Sequence, residues 1–140
     1  KWDLEEKGEE KQRRFIFRMQ KKFAFLPWAP VVFVSAKTGR NIQKIFDITK
    51  EIFIERQREL DSEELQLYIE KVSLKHLPTG LARKRPKIVE VKQDGINPPT
   101  FVFKAKHADA IHFSYKRYLE NKIREKYGFN GTPIQMIFRK

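Results

Sequence analysis

Asp3 and the tripeptide Ser35-Ala36-Lys37 are the residues whose types and placement could bind a small polar ligand. The two oxygens of a carboxylate can accept hydrogen bonds from neighbouring N–H groups of a nitrogen heterocycle, and a ring that has an acceptor in place of one of those donors leaves an oxygen unpaired. A site that depends on such pairing can discriminate by about 10⁴-fold. The tripeptide follows the apolar run Val31–Val34, and ligands of open α/β sheets bind beyond the carboxyl ends of strands. The pattern predicts a base-binding loop at the end of a strand.

The elements that would position this loop are a strand and two helices. Val31–Val34 is short, continuous and apolar, which is typical of a parallel strand that is buried on both faces. Asn41 is predicted to be the N-cap of the following helix, whose apolar residues from Ile42 to Phe53 recur at helical spacing. Before the strand, Phe15, Met19 and Phe23 predict an amphipathic helix that stops near Pro27.

The first three residues resemble part of a known nucleotide motif. Lys1-Trp2-Asp3 is similar to the end of the Asn-Lys-x-Asp guanine-specificity motif of GTP-binding proteins, without its Asn. The resemblance implies that the Lys1 stem lies along the base, that Ala36 donates its backbone N–H to the base carbonyl, and that Lys37 covers the other face. The implied guanine site consists of Lys1, Asp3, Ser35, Ala36 and Lys37.

The second half of the chain predicts a different architecture. A charged stretch ends the first half, and we place a domain boundary between residues 58 and 59. Asp61 or Ser62 can cap a helix in which the apolar residues Leu65, Ile69 and Val72 form one stripe.

Three strands and another helix complete this half. The predicted order continues with strand Ile88–Lys92, an antiparallel partner Thr100–Lys106, a helix from about Asp109 to Tyr127, and a closing strand Pro133–Lys140. Ile111, Tyr115, Leu119 and Ile123 are predicted to form the inward stripe of this helix, and Gly128 is expected to end it. The resulting α-β-β-α-β order predicts a three-stranded sheet with helices on one face and resembles a reduced type II KH domain.

A working KH domain clamps RNA with a Gly-x-x-Gly loop between two helices. Gly128-Phe129-Asn130-Gly131 matches that pattern, but the last strand follows too soon for another helix, so we interpret it as a helix stop and turn. The segment from His107 to Ser114, where the clamp belongs, contains no glycine.

Charge favours a polyanionic partner. The chain carries a formal net charge of +12 and has no cysteine. A basic excess of this kind is typical of RNA-binding proteins, although lysines that are merely solvated would give the same composition. The best candidate surface for RNA comprises Arg83, Lys84, Arg85, Lys87, Lys104 and Lys106. No apolar run reaches the roughly 18 residues of a membrane span, and the histidines lack metal-site spacing, so we expect a cytoplasmic protein without a membrane or metal site.

The chain as a whole resembles the C-terminal part of the Der (EngA) family of bacterial GTPases. The motifs that carry the resemblance are Lys1-Trp2-Asp3, Val34–Gly39, Pro98–Phe101, Phe113–Asn121 and Gly128–Ile134. The resemblance implies that residues 1–58 are an α/β remnant of a P-loop G domain, built as helix-strand-helix, and that residues 59–140 are an α+β KH-like domain. It also implies that the parent protein binds GTP or GDP with Mg²⁺ and assists large ribosomal subunit assembly. The expected partners are the subunit or its RNA, and the missing G domains of the same protein.

The sequence lacks parts that phosphoryl transfer requires. There is no Gly-x-x-x-x-Gly-Lys-Ser/Thr phosphate loop, no Asp-x-x-Gly and no switch threonine. We therefore expect that this chain alone neither hydrolyses GTP nor holds nucleotide or Mg²⁺. The alternative is a self-sufficient basic RNA-binding adaptor, in which positions 1–57 form a helical extension without a nucleotide site.

Overall fold

The computed structural model describes residues 8–77 and 86–140. The chain divides into two compact units, Lys1–Ile54 and Glu55–Lys140. Each unit is built differently. No helix in the described residues is long and apolar enough to cross a membrane.

The first unit contains helix α1, Glu9–Lys22, and most of helix α2, Ile42–Arg56. Acidic Glu9 and Glu10 stand in the first turn of α1 and basic Lys21 and Lys22 in its last turn, which suits the helix dipole. Both predicted helices are confirmed. Neither helix has a buried residue, however.

The prediction that Val31–Val34 forms a sheet strand is wrong for this structure. These residues carry no strand pairing, and the one backbone bridge nearby joins Ser35 to Arg40. A strand exists only where a neighbour completes its hydrogen-bond ladder, and the described part of the first unit offers no such neighbour. The apolar run therefore lies outside any strand or helix, and Val31 remains exposed.

The second unit is an α+β domain in the predicted α-β-β-α-β order. Helix α3, Ser62–Lys75, precedes strands β1, Lys87–Gly95, and β2, Thr100–Lys106; helix α4, Phe113–Tyr127, precedes β3, Gln135–Arg139. The sheet order is β1-β2-β3. The β1 and β2 strands are antiparallel, whereas β2 and β3 are parallel, since α4 returns the chain to the starting edge.

The core lies between the two helices and one side of the sheet. Each helix contributes the stripe that its spacing predicted, and the sheet contributes alternate residues. The main members are Leu65, Ile69, Val72, Tyr115, Leu119, Ile123, Phe101 and Phe103. Asp61 caps α3, because its Oδ1 accepts a hydrogen bond from the Glu64 N–H at 2.8 Å.

Helix α4 begins four residues later than predicted. His107 has φ of 54°, and a 3₁₀ turn, Ala108–Ala110, follows it. His112 then caps the helix, since its extended backbone lets Nδ1 accept from the Ser114 N–H. Helical periodicity alone does not reveal this break, because Ile111 is buried as the predicted stripe requires. The predicted stop at Gly128 is confirmed: its φ is 88° and its N–H donates to the Arg124 carbonyl.

Candidate functional site

The loop that contains the predicted guanine-contacting residues is a closed turn at the start of α2. The Ser35 N–H donates to the Arg40 carbonyl at 3.1 Å, and the Thr38 N–H reaches Ser35 Oγ at 3.4 Å. Gly39 has φ of 69°, a conformation that glycine adopts without strain. Ser35 is 1% exposed, so the turn is anchored at its base.

Asn41 connects the loop to the segment before it. Its side-chain Nδ2 donates to the Phe33 carbonyl at 2.9 Å. The backbone φ of Asn41 is 59°. An N-cap residue needs an extended backbone, so the prediction that Asn41 caps α2 is wrong. The amide instead holds the two ends of the loop together.

The outer part of the loop faces solvent. Ala36 and Lys37 are both exposed, and the Ala36 N–H has no acceptor among the described residues. An unpaired N–H donor at the tip of an anchored turn is the type of group that can bind a base carbonyl. Lys1 and Asp3, the other predicted members of the guanine site, lie outside the described residues.

The predicted basic residues that the structure describes share one side of the sheet. Lys87 and Lys106 are cross-strand partners in β1 and β2, and Lys104 follows on the same side two residues before Lys106. All three are exposed. Arg83, Lys84 and Arg85 lie outside the described residues, although they precede β1 directly in the sequence.

Two acidic residues neutralise part of this surface. Lys104 Nζ lies 2.6 Å from Glu90 Oε2, and Lys92 Nζ lies 3.0 Å from Asp94 Oδ1. The hydrogen bond and the positive charge of Lys104 lower the pKa of the Glu90 carboxyl, which therefore stays ionised. Lys87 and Lys106 have no ion pair within the described part of the chain.

Sequence analysis missed further basic residues near this surface. Arg139 of β3 is the partner of Lys104, and the residue after it, Lys140, lines a concavity with Lys106 and His107. Because side chains alternate along a strand, the core positions of Met136 and Phe138 place Arg139 on the side away from the core. Its position beside Lys104 depends on the parallel register, which the sequence does not display.

A family model matches most of the second unit. The model describes the C-terminal KH-domain-like region of EngA bacterial GTPase enzymes and covers residues 60–139. The chain belongs to the Der (EngA) family. Within it, the three-stranded mixed sheet and its helices are the α+β KH-like domain, and the chain is the C-terminal region of such a protein.

Similarity to Der family proteins extends over the whole chain. It is 44% identical to GTPase Der of Thermomicrobium roseum, 41% to that of Lactococcus lactis subsp. cremoris and 40% to that of Clostridium novyi, in each case over 100% of this chain. It covers 31%, 32% and 32% of those proteins, respectively. The chain thus spans about a third of the curated relatives that it matches, and its KH-like unit is a GTPase-associated domain.

Proposed function

We propose that residues 1–58 are the C-terminal part of a GTP-binding domain and that the Ser35-Ala36-Lys37 loop contacts guanine. The observation that supports this proposal most strongly is the anchored turn before α2, in which the Ala36 N–H is exposed and has no acceptor among the described residues. Asp3 supplies the paired carboxylate acceptors, Lys1 and Lys37 flank the base, and Ser35 holds the turn. The parent protein's phosphate and Mg²⁺ contacts come from motifs that this chain lacks.

Exposed apolar surface in the first unit supports this proposal. Two large apolar side chains of α2 are mostly exposed, Phe46 to 64% and Phe53 to 58%. A cavity of about 240 Å³ lies between α1 and the following segment, lined by Met19, Phe23, Leu26 and Val31 among others. Because the curated relatives are about three times as long, we propose that their additional residues supply the strands that pair with Val31–Val34 and cover these faces.

Nucleotide retention by the full-length parent protein tests the guanine site. Asp3→Asn replaces an acceptor by a donor opposite the guanine amine, so affinity for fluorescent GDP should fall more than about a hundredfold. Xanthosine diphosphate has a carbonyl oxygen where guanine has that amine, and it should bind the variant better than GDP does. The matched control is Asp47→Asn on the exposed surface of α2, which should leave binding unchanged. Unchanged GDP binding by the Asp3 variant would contradict the assigned role.

The KH-like domain, residues 59–140, is proposed to contact RNA of the large ribosomal subunit during its assembly. The exposed lysines of the sheet support this, because phosphate neutralisation releases counterions and favours binding. The proposed contact also includes Arg83, Lys84 and Arg85, which are assigned to it only because they directly precede β1 in the sequence. Such a role places the protein in the cytoplasm, where its partners also include the remaining G domains of the same polypeptide.

A further inference from the structure

The side of the three-stranded sheet opposite the helices concentrates basic residues from all three strands. We call it the open sheet face; it carries Lys87, Lys92, Lys104, Lys106 and Arg139. Every one of these side chains is exposed. The core residues Val91, Phe101 and Phe103 alternate with them and point to the helices. The open sheet face is therefore a strongly cationic surface on a rigid element.

Register places like charges directly opposite each other on this face. Lys87 pairs with Lys106 in the antiparallel ladder, and Lys104 pairs with Arg139 in the parallel ladder. Cross-strand partners lie about 4.5–5.5 Å apart between Cβ atoms, and like charges in such positions destabilise a sheet. Glu90 compensates Lys104, but Lys87, Lys106 and Arg139 have no ion pair within the described part of the chain. This arrangement works against folding stability unless an external anion neutralises it.

A concavity continues the open sheet face at the end of β2. It measures about 530 Å³ and is lined by Val89, Lys104, Ala105, Lys106, His107 and Lys140. Residues two apart on one strand are separated by about 6.6–6.8 Å. The cations thus form a grid with spacings of roughly 5–7 Å, which suits a ligand with regularly repeated negative charges.

We propose that the open sheet face and its concavity bind consecutive phosphates of an RNA backbone. This rests on the RNA contact in the proposed function and assigns the surface that makes it. The aromatic residues of the described strands, Phe101, Phe103 and Phe138, all face the core, so the open face has no base-stacking platform. Recognition is accordingly independent of base sequence.

Charge neutralisation on the full 140-residue chain tests this assignment. The probes are fluorescein-labelled oligouridylate and an RNA duplex, each about 15 nucleotides long. The face variant combines Lys87→Gln, Lys106→Gln and Arg139→Gln. The control combines Lys44→Gln, Lys71→Gln and Lys75→Gln, which remove equal charge from exposed helix positions. Binding constants are measured from low to high salt.

The expected result is a change in salt dependence that is specific to the face variant. Loss of three phosphate contacts should flatten the slope of log K against log salt by about 2 for the single strand and weaken binding about a hundredfold near 0.1 M salt. The control should stay within about threefold of the unaltered chain. Glu90→Gln removes the carboxylate that pairs with Lys104, so it should steepen the slope by about 0.7 and tighten binding. A gain in binding cannot result from a folding defect, so this variant tests the face even if the triple variant is destabilised.

Other outcomes separate the two proposals. Equal losses in the face variant and the control would overturn the assignment of the open sheet face and leave the proposed RNA contact intact. No binding of either probe by the unaltered chain would overturn both. Tighter binding of polyglutamate than of either RNA probe at the same salt concentration would instead indicate that the face takes an acidic protein segment, and would overturn its assignment to RNA.

Discussion

The two units bury their apolar residues to very different extents. In the first unit, neither α1 nor α2 has a buried residue, and Phe46 and Phe53 are largely exposed. In the second unit, α3, α4 and the sheet enclose a core in which Phe101 is 0% exposed. Both units contain amphipathic helices. The difference lies in what covers the apolar faces.

Hydrophobic periodicity thus predicts which face of a helix is apolar, but not whether that face is buried. The KH-like domain supplies both layers, helices and sheet, from one continuous stretch of chain. In the first unit Val31–Val34 lies outside any strand, and the described residues form no sheet for the helices to cover. Burial requires partners that local sequence does not reveal.

The largest expected change in the free energy of unfolding comes from truncating a buried phenylalanine of the second unit, compared with an exposed phenylalanine of the first. Phe101→Ala removes a fully buried ring and should lower the free energy of unfolding by about 3–5 kcal/mol. Phe53→Ala, at an exposed position, should change it by no more than ~0.5 kcal/mol. Urea unfolding followed by tyrosine near-UV circular dichroism reports the second unit, in which all four tyrosines lie, and tryptophan fluorescence reports the first unit, which contains both tryptophans. Equal effects would remove the distinction between the units.

A smaller loss of stability is expected at the end of α2, where Glu55 belongs to the second unit. Glu55 Oε2 accepts from the Phe129 N–H at 2.6 Å, and Glu55 Oε1 pairs with Arg58 at 2.8 Å. Glu55→Ala leaves a buried backbone N–H without its charged acceptor, so we expect a loss of about 1.5–3 kcal/mol in the same urea assay. Glu51→Ala, one turn earlier and exposed, is the matched control and should have little effect. A similar loss in both variants would show that the contacts of Glu55 with Phe129 and Arg58 contribute nothing specific.

The smallest effect is expected at the end of α4, where side chains lie close to Gly128. Gly128→Ala would place a methyl group 3.1 Å from Glu55 Oε2 and 3.3 Å from Arg58 Nη1, at a φ that L-residues rarely adopt. We expect a loss of about 1–3 kcal/mol in urea unfolding. Gly8→Ala has no atom within 4 Å of its added carbon, so it should cost only the weaker preference for alanine at the N-cap of α1, less than about 1 kcal/mol. The Gly128 cost should shrink when combined with Glu55→Ala, and strict additivity would show that the crowding is unimportant.

Several features of the KH-like domain could be predicted from residues alone. The spacing of apolar residues predicts the stripes of α3 and α4. Backbone chemistry that acts within a few residues predicts the Asp61 cap and the Gly128 stop. The start of α4 could not be predicted, because a 3₁₀ turn keeps Ile111 buried while the extended backbone of Ile111 and His112 delays the helix. At the loop after Val34 the residue types pointed to a ligand, but the role of Asn41 depended on a hydrogen bond to Phe33 eight residues away.

The amino-acid sequence by itself determined the order of helices and strands in the KH-like domain and the family to which the chain belongs, since both depend on local periodicity and contiguous motifs. Tertiary structure alone decided that β3 runs parallel to β2, that Arg139 stands beside Lys104, and that Val31–Val34 lies outside any strand. Strand pairing is a contact between distant parts of the chain, and its register depends on how all the layers pack together.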